Sequence, residues 1–376
     1  MPLLVFACGA RTGLGHGLPD ASSDAGASPG VESLSAGDDH TCAVMQDHTV
    51  RCWGFNRYEQ LGNGSGEDGV RATPVVGLSA PVAKVAAGGT HTCALALEGS
   101  VLCWGTASRG ELGNGSTLQR GTPTVALPSN AVDLCAGGQH TCAVMSDHTV
   151  KCWGSNDHGG LGDGTVVDRS LPVGVVGLTR AASVRCGALF TCALLDDATV
   201  RCWGAGGDLG DGSTDDRFTP VDVTGLRDVV ALDAGGGRAC ALLRSGQVAC
   251  WGYPGYGQDG GGSDADLAPR LVDLGGDVTV DISAGGTHSC VVMQSGAVRC
   301  WGKNHDGQIG DGTTVDRQLP VAIGLTEARL VSAGGLHTCA VLRDGSAKCW
   351  GINVDGELGD GTNVSRSVPG AVLGLN

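Results

Sequence analysis

Cysteine carries most of the chemistry available to this chain, and its spacing is regular. Of seventeen cysteines, fourteen fall in pairs ten residues apart: Cys42 and Cys52, Cys93 and Cys103, Cys142 and Cys152, Cys192 and Cys202, Cys240 and Cys250, Cys290 and Cys300, Cys339 and Cys349. Cys8, Cys135 and Cys186 stand outside this pattern. Paired cysteines serve either metal or disulfide chemistry. Zinc sites use close ligand pairs of the C-x-x-C kind, which are absent here, so metal is the weaker reading.

Disulfides fit the spacing. The loop between each pair centres on Asp47, Glu98, Asp147, Asp197, Ser245, Ser295 or Asp344, followed by Gly99, Gly246, Gly296 or Gly345, or by His48, His148 or Ala198. That composition predicts a three-residue hairpin loop, a type I turn followed by a left-handed residue. If Met45 and Thr49 close the loop as a hydrogen-bonded pair, alternation makes residues 42 and 52 a non-bonded pair. Such pairs bring Cα atoms to roughly 4.5 Å, at the short end of the disulfide range. The expectation is seven intrablade disulfides. Ala198 is the awkward member, because a β-carbon is unfavourable at positive φ. Bridges of this kind persist in oxidising compartments, which places the chain outside the cytoplasm, at a bacterial cell surface, in a periplasm or secreted.

Three further residue sets could do chemistry. His40, His91, His140, His288 and His337 occupy one equivalent position, but Phe190 and Arg238 interrupt any metal-binding ring, so the histidines read as hydrogen bonders that order loops. Asp163, Asp211, Asp311 and Asp360 sit in Gly-Asp-Gly turns. Calcium needs several oxygens converging in one loop. One Asp per copy, with Arg169, Arg217, Arg317 and Arg366 following, points instead to an Asp–Arg pair. All seven tryptophans, Trp53 to Trp350, stand in Cys-Trp-Gly. One Trp per unit in an identical frame reads as packing between units. No nucleophile elbow, His-Glu-x-x-His or P-loop is present, so catalysis, a metal site and a cofactor are not expected.

The elements that must position these residues follow from the period. His-Thr-Cys or a variant recurs seven times at intervals of 48 to 51 residues, and a period of this size signals solenoids or propellers. Each unit holds four short apolar runs separated by Gly, Asp, Asn and Pro clusters, which predicts four antiparallel strands. The fold class is therefore all-β, a single seven-bladed β-propeller with four antiparallel strands and one intrablade disulfide per blade, occupying residues 31–376. The chain begins at one strand of the unit and ends at another, so blade 7 should lie beside blade 1.

The stretches Ser283–Gly312 and Ser332–Gly361, which carry A-G-G-x-H-[ST] and W-G-x-N-x-x-G-x-[LI]-G-D-G, resemble the regulator of chromosome condensation repeat. The resemblance covers nearly the whole chain. It implies the propeller fold, and it implies functions as diverse as guanine nucleotide exchange, light sensing, ubiquitin ligation and secreted enzyme inhibition, because fold alone does not decide function.

Residues 1–30 read as a truncated lipoprotein-like signal and flexible linker. Val5-Phe6-Ala7-Cys8-Gly9 resembles the end of a bacterial lipoprotein signal, with Cys8 as the lipidated residue. Met1–Ala7 lacks a basic n-region and is too short for a full apolar core, consistent with a start placed downstream of the true one. Ala10–Gly30 reads as a tether. Cys135 and Cys186, aligned on His-Thr-Cys, are one residue out of step, so strand alternation is expected to point them apart as buried free thiols, with an eighth disulfide between them as the alternative.

A formal charge of −15 argues against nucleic acid and anionic membrane, which need clustered Lys and Arg. Membrane contact is expected only through a lipid anchor at Cys8. Symmetry fails in blades 1 and 5, where Phe55, Arg57 and Tyr58 and then Tyr253 and Tyr256 occupy the loop after Trp-Gly, with Arg109 in blade 2. These are the candidate partner-binding residues, since aromatic and Arg side chains dominate binding hot spots. The function expected is a monomeric, non-enzymatic extracytoplasmic scaffold for an unknown protein or glycan. The alternative, by resemblance, is an exchange factor for a small GTPase.

Overall fold

The computed structural model describes residues 30–253 and 266–375. Cys8, the expected boundary near residue 30 and Tyr256 lie outside or at the edge of these residues.

Each repeat is organised around its central hairpin. In blade 1 the Met45 N–H donates to the Thr49 carbonyl at 2.9 Å and the His48 N–H to the Met45 carbonyl at 2.8 Å. The third loop residue takes positive φ: 65° at His48, 88° at Gly99 and 64° at Ala198. His48, His148 and Ala198 thus carry strain that glycine relieves in the other four blades. The closed turn puts Cys42 opposite Cys52, and the same register recurs in every blade. Cα separations of 4.0 to 4.1 Å accompany a disulfide in each of the seven pairs.

An inner strand (Val31–Ala36 in blade 1) pairs with the second strand (His40–Met45), and the third (Val50–Gly54) with the outer one (Gly69–Pro74). All seven sheets keep this sequence order. Every outer strand contains a proline, Pro74, Pro123, Pro172, Pro220, Pro269, Pro320 or Pro369. Proline there removes a donor from the free edge, which discourages pairing with another chain.

Adjacency in Cys-Trp-Gly decides how blades stack. Neighbouring residues on a strand point to opposite faces, so each blade presents its disulfide on one face and its Trp on the other. Around a ring, the disulfide face of one blade meets the Trp face of the next. The apolar core is accordingly divided into seven clusters, one per seam. Cys42, Cys52 and Leu61 of blade 1 surround Trp104 of blade 2, and Cys339, Cys349 and Leu358 of blade 7 surround Trp53 of blade 1. All seven tryptophans are fully buried, as expected for packing between blades. The Leu-Gly step makes room for them: a β-carbon on Gly62 would come 2.6 Å from Trp104 Nε1.

Closure uses no shared strand. Blade 7 meets blade 1 through Val31 N–H to the Gly345 carbonyl (2.8 Å), Ala36 N–H to Ser332 Oγ (2.9 Å) and Trp53 Nε1 to the Glu357 carbonyl (2.9 Å).

One expectation is overturned. Cys135 and Cys186 form an eighth disulfide, with Cα atoms 5.6 Å apart. Cys135 lies opposite Cys142 in its sheet, hence on the disulfide face of blade 3. Cys186 lies opposite Thr191, hence on the Trp face of blade 4. Those two faces confront each other. Residues one step out of phase diverge within a single sheet but converge between two stacked sheets. The bridge stands where other seams use a hydrogen bond from the sixth residue of the inner strand: Ala87 N–H to Ser35 Oγ (2.9 Å), Ala284 N–H to Asp233 Oδ2 (2.9 Å) and Ala333 N–H to Ser283 Oγ (3.0 Å).

Candidate functional site

The turns after the inner strands and the loops after Trp-Gly emerge on the same face of the propeller. In blades 1, 3, 6 and 7 the loop is built around a buried Asn in the W-G-x-N frame. In blade 1, Asn56 donates from Nδ2 to the Ser65 and Glu67 carbonyls, both at 2.9 Å, and its Oδ1 accepts from the Leu61 N–H at 2.9 Å. Asn156, Asn304 and Asn353 do the same in blades 3, 6 and 7. The expected Asp–Arg pairs close the loop bases: Asp163 with Arg169 at 2.8 Å, Asp211 with Arg217 at 2.9 Å, Asp311 with Arg317 at 2.6 Å and Asp360 with Arg366 at 3.5 Å.

On this scaffold, Phe55 and Tyr58 stack edge-to-face with centroids 5.8 Å apart, and the Arg57 guanidinium lies 5.9 Å from the Phe55 ring centre. Tyr58 is 43% exposed and Tyr253 in blade 5 is 66% exposed. Arg109 is drawn across a seam instead: it pairs with Asp157 and, at 3.0 Å, with Asp168 of blade 3. His158 of blade 3 repeats that contact with Asp216 of blade 4 at 3.0 Å.

At the corresponding place between blades 7 and 1, the sequence puts Asp355 against Asp68. Burial and the Asp68 charge both hold the Asp355 carboxyl above its usual range, while Arg57 draws it down. Burial, together with Asp38 and Asp355, pushes Asp39 up to about 6. Burial, with Asp355 and Asp39, pushes Glu357 up to about 7. The aromatic–arginine group of blade 1 therefore borders an acidic seam, which sequence reasoning missed. The signal was present in the loss of Arg109- and His158-like residues at position 355, but it required knowing which loops touch.

The histidine position has a structural role. Thr92 Oγ1 donates to the Gln60 carbonyl at 2.8 Å and lies 2.8 Å from His40 Nε2. The hydroxyl's one proton is committed to the carbonyl, so Nε2 is the donor. The same relay joins His91 to Thr141, His140 to Thr191, His288 to Thr338 and His337 to Thr41 at 2.6 to 2.8 Å. Burial, chiefly, holds His40 and His91 down to about 3, His140 and His337 to about 4, and His288 well below its ordinary value. Between blades 4 and 5 the relay is absent, and Phe190 and Ala239 replace His and Thr together.

These shifts make stability depend on pH. A histidine whose folded value is depressed contributes stability above about 6.5, and loses it as pH falls toward the folded value. The H91F/T141A double substitution copies the natural Phe190–Ala239 pair and orphans nothing, because Trp153 Nε1 still donates to the Glu111 carbonyl at 2.8 Å. It is expected to change stability at pH 7 by under about 1.5 kcal/mol. Between pH 6 and 4 its stability should depend on pH less steeply than the parent's, by about 1.4 kcal/mol per pH unit. Denaturant titrations across that range measure this, and parallel curves for the two proteins would refute it.

The RCC1-like domain family matches residues 118–376, and the regulator of chromosome condensation (RCC1) repeat matches residues 31–60, 82–111 and 47–95. The chain belongs to the RCC1-repeat family. Among its relatives, the RCC1 domain-containing protein RUG3 of Arabidopsis thaliana is 37% identical over 87 residues, 23% of this chain and 20% of RUG3. The ultraviolet-B receptor UVR8 of Arabidopsis thaliana is 34% identical over 89 residues, 23% of this chain and 20% of UVR8. The aligned stretches thus span about a fifth of these curated relatives. Prp20p of Saccharomyces cerevisiae shares the fold with a TM-score of 0.76 and 22% identity, over 92% of this chain and 88% of Prp20p.

Proposed function

We propose that this RCC1-repeat propeller is a non-enzymatic interaction scaffold outside the cytoplasm, monomeric, and held to a membrane, if at all, by lipid on Cys8. It engages a protein or glycan through the loop-bearing face. The observation that carries this reading is the group of half-buried Phe55 with exposed Arg57 and Tyr58 beside the acidic seam, on a loop whose base is tied down by buried Asn56. Rigid, partly exposed aromatic and Arg side chains supply contact area at low entropic cost. Tyr253 offers a second anchor on blade 5, and Arg109 belongs to the rim of the same surface. A charge of −15 disfavours a polyanionic partner. Eight disulfides are compatible with an oxidising compartment.

The test is intact mass after alkylation, with and without reduction, on protein recovered from its native host. Sixteen cysteines that react only after reduction are expected from these eight bridges. Free reaction of most of them without reduction would defeat the extracytoplasmic assignment and return the exchange-factor reading.

A further inference from the structure

We propose that the Cys135–Cys186 bridge is a thiol–disulfide exchange site for small monothiols, and that it passes its opening on to the Cys142–Cys152 bridge.

Three observations carry this. First, the bridge borders the central channel, in a cavity also lined by Lys84 and Arg185. Its two cysteines are 6% and 7% exposed, whereas those of the seven intrablade pairs are at most 2% exposed. Exchange requires access of the attacking thiolate to a disulfide sulfur. Second, a third sulfur is close: the Sγ atoms of Cys135, Cys142 and Cys186 all lie within 4.8 Å of one another. Third, the alternative pairing fits the sheet. Cys142 lies opposite Cys135 on one side and opposite Cys152 on the other. In a middle strand, a residue non-bonded to one neighbour is hydrogen-bonded to the other, which sets Cα atoms about 5.5 Å apart, inside the range a disulfide spans.

The exchange runs in three displacements. A monothiolate attacks Cys186 Sγ, forming a mixed disulfide and releasing Cys135 as thiolate. Cys135 attacks Cys142 Sγ, forming Cys135–Cys142 and releasing Cys152. A second monothiol attacks the mixed disulfide, freeing Cys186 and leaving as the oxidised dimer. Two monothiols lose two electrons, one protein disulfide gains them, and the two protons end on Cys152 and Cys186. In this state the seam is still tied by the Val184 N–H, which donates to Asp133 Oδ2 at 2.9 Å.

The experiment exposes the folded, fully oxidised chain to limiting reduced glutathione, quenches with iodoacetamide at intervals and maps the peptides by mass. Cys186 and Cys152 are expected to be alkylated at least about tenfold faster than the cysteines of the six remote pairs, with Cys135 recovered joined to Cys142. Joint alkylation of Cys135 and Cys186 with Cys152 protected would overturn the transfer step. Equal rates at all eight bridges would overturn the exchange site itself.

Discussion

Replacing Cys135 and Cys186 together with alanine is expected to cost about 4 kcal/mol, the largest loss from any one bridge. Their separation is 51 residues, against 10 for each intrablade pair. On the chain-entropy account the longer loop contributes about 4 kcal/mol and each short one about 2.7 kcal/mol. The effect should also be local. Seams 1–2, 5–6, 6–7 and 7–1 have a main-chain N–H bonded to Ser or Asp at this position, and the alanine pair supplies nothing in exchange. The inner-strand amide at position 186 should therefore exchange with solvent sooner than those of Ala284 and Ala333, whereas the Val184 N–H stays bonded to Asp133 Oδ2. Guanidinium titration and amide exchange measure both effects. A loss below about 1 kcal/mol, with uniform protection around the ring, would show that the bridge is incidental to the fold.

Deleting Ser367–Asn376 should destabilise the whole ring and not merely fray one edge. The segment supplies most of the outer strand of blade 7, Arg366–Ala371. It also supplies Val372 and Leu375, which are packed with Trp53 and Ala72 of blade 1. Arg51 of blade 1 donates to the Gly374 carbonyl at 2.8 Å and the Ala72 N–H to the Leu373 carbonyl at 3.0 Å. Each blade is a continuous stretch of chain, so closure has no interlocked strand to fall back on. Two buried aliphatic side chains and a lost ladder amount to roughly 5 kcal/mol, or a fall in melting temperature of ~7 °C for a chain of this size. Calorimetry decides it, and an unchanged melting temperature would mean that the seam holds without its outer strand.

How much could be read without coordinates depended on the range of the interaction. Cys42 and Cys52 could be paired because a three-residue turn between them sets the register, and everything needed lay within eleven residues. The same holds for Asp163 and Arg169, joined through one loop. The histidines were legible as structural hydrogen bonders, because Phe190 and Arg238 break their ring, but their partners were not. His40 bonds Thr92, fifty-two residues away on the next blade. Arg109 looked like a free surface cation until blade 3 brought Asp168 within 3.0 Å.

The repeat by itself determined seven blades, the order of strands within each and the disulfide that staples each hairpin, because these are consequences of local backbone geometry and period-two alternation. Tertiary structure alone decided what happens at the seams. Two sheets stacked face to face reverse the parity rule that holds within one sheet, which is why Cys135 and Cys186 meet and why the loss of a histidine at Phe190 is matched by the loss of a threonine at Ala239, while Asp355 comes against Asp68 because the loops of adjacent blades meet at one seam.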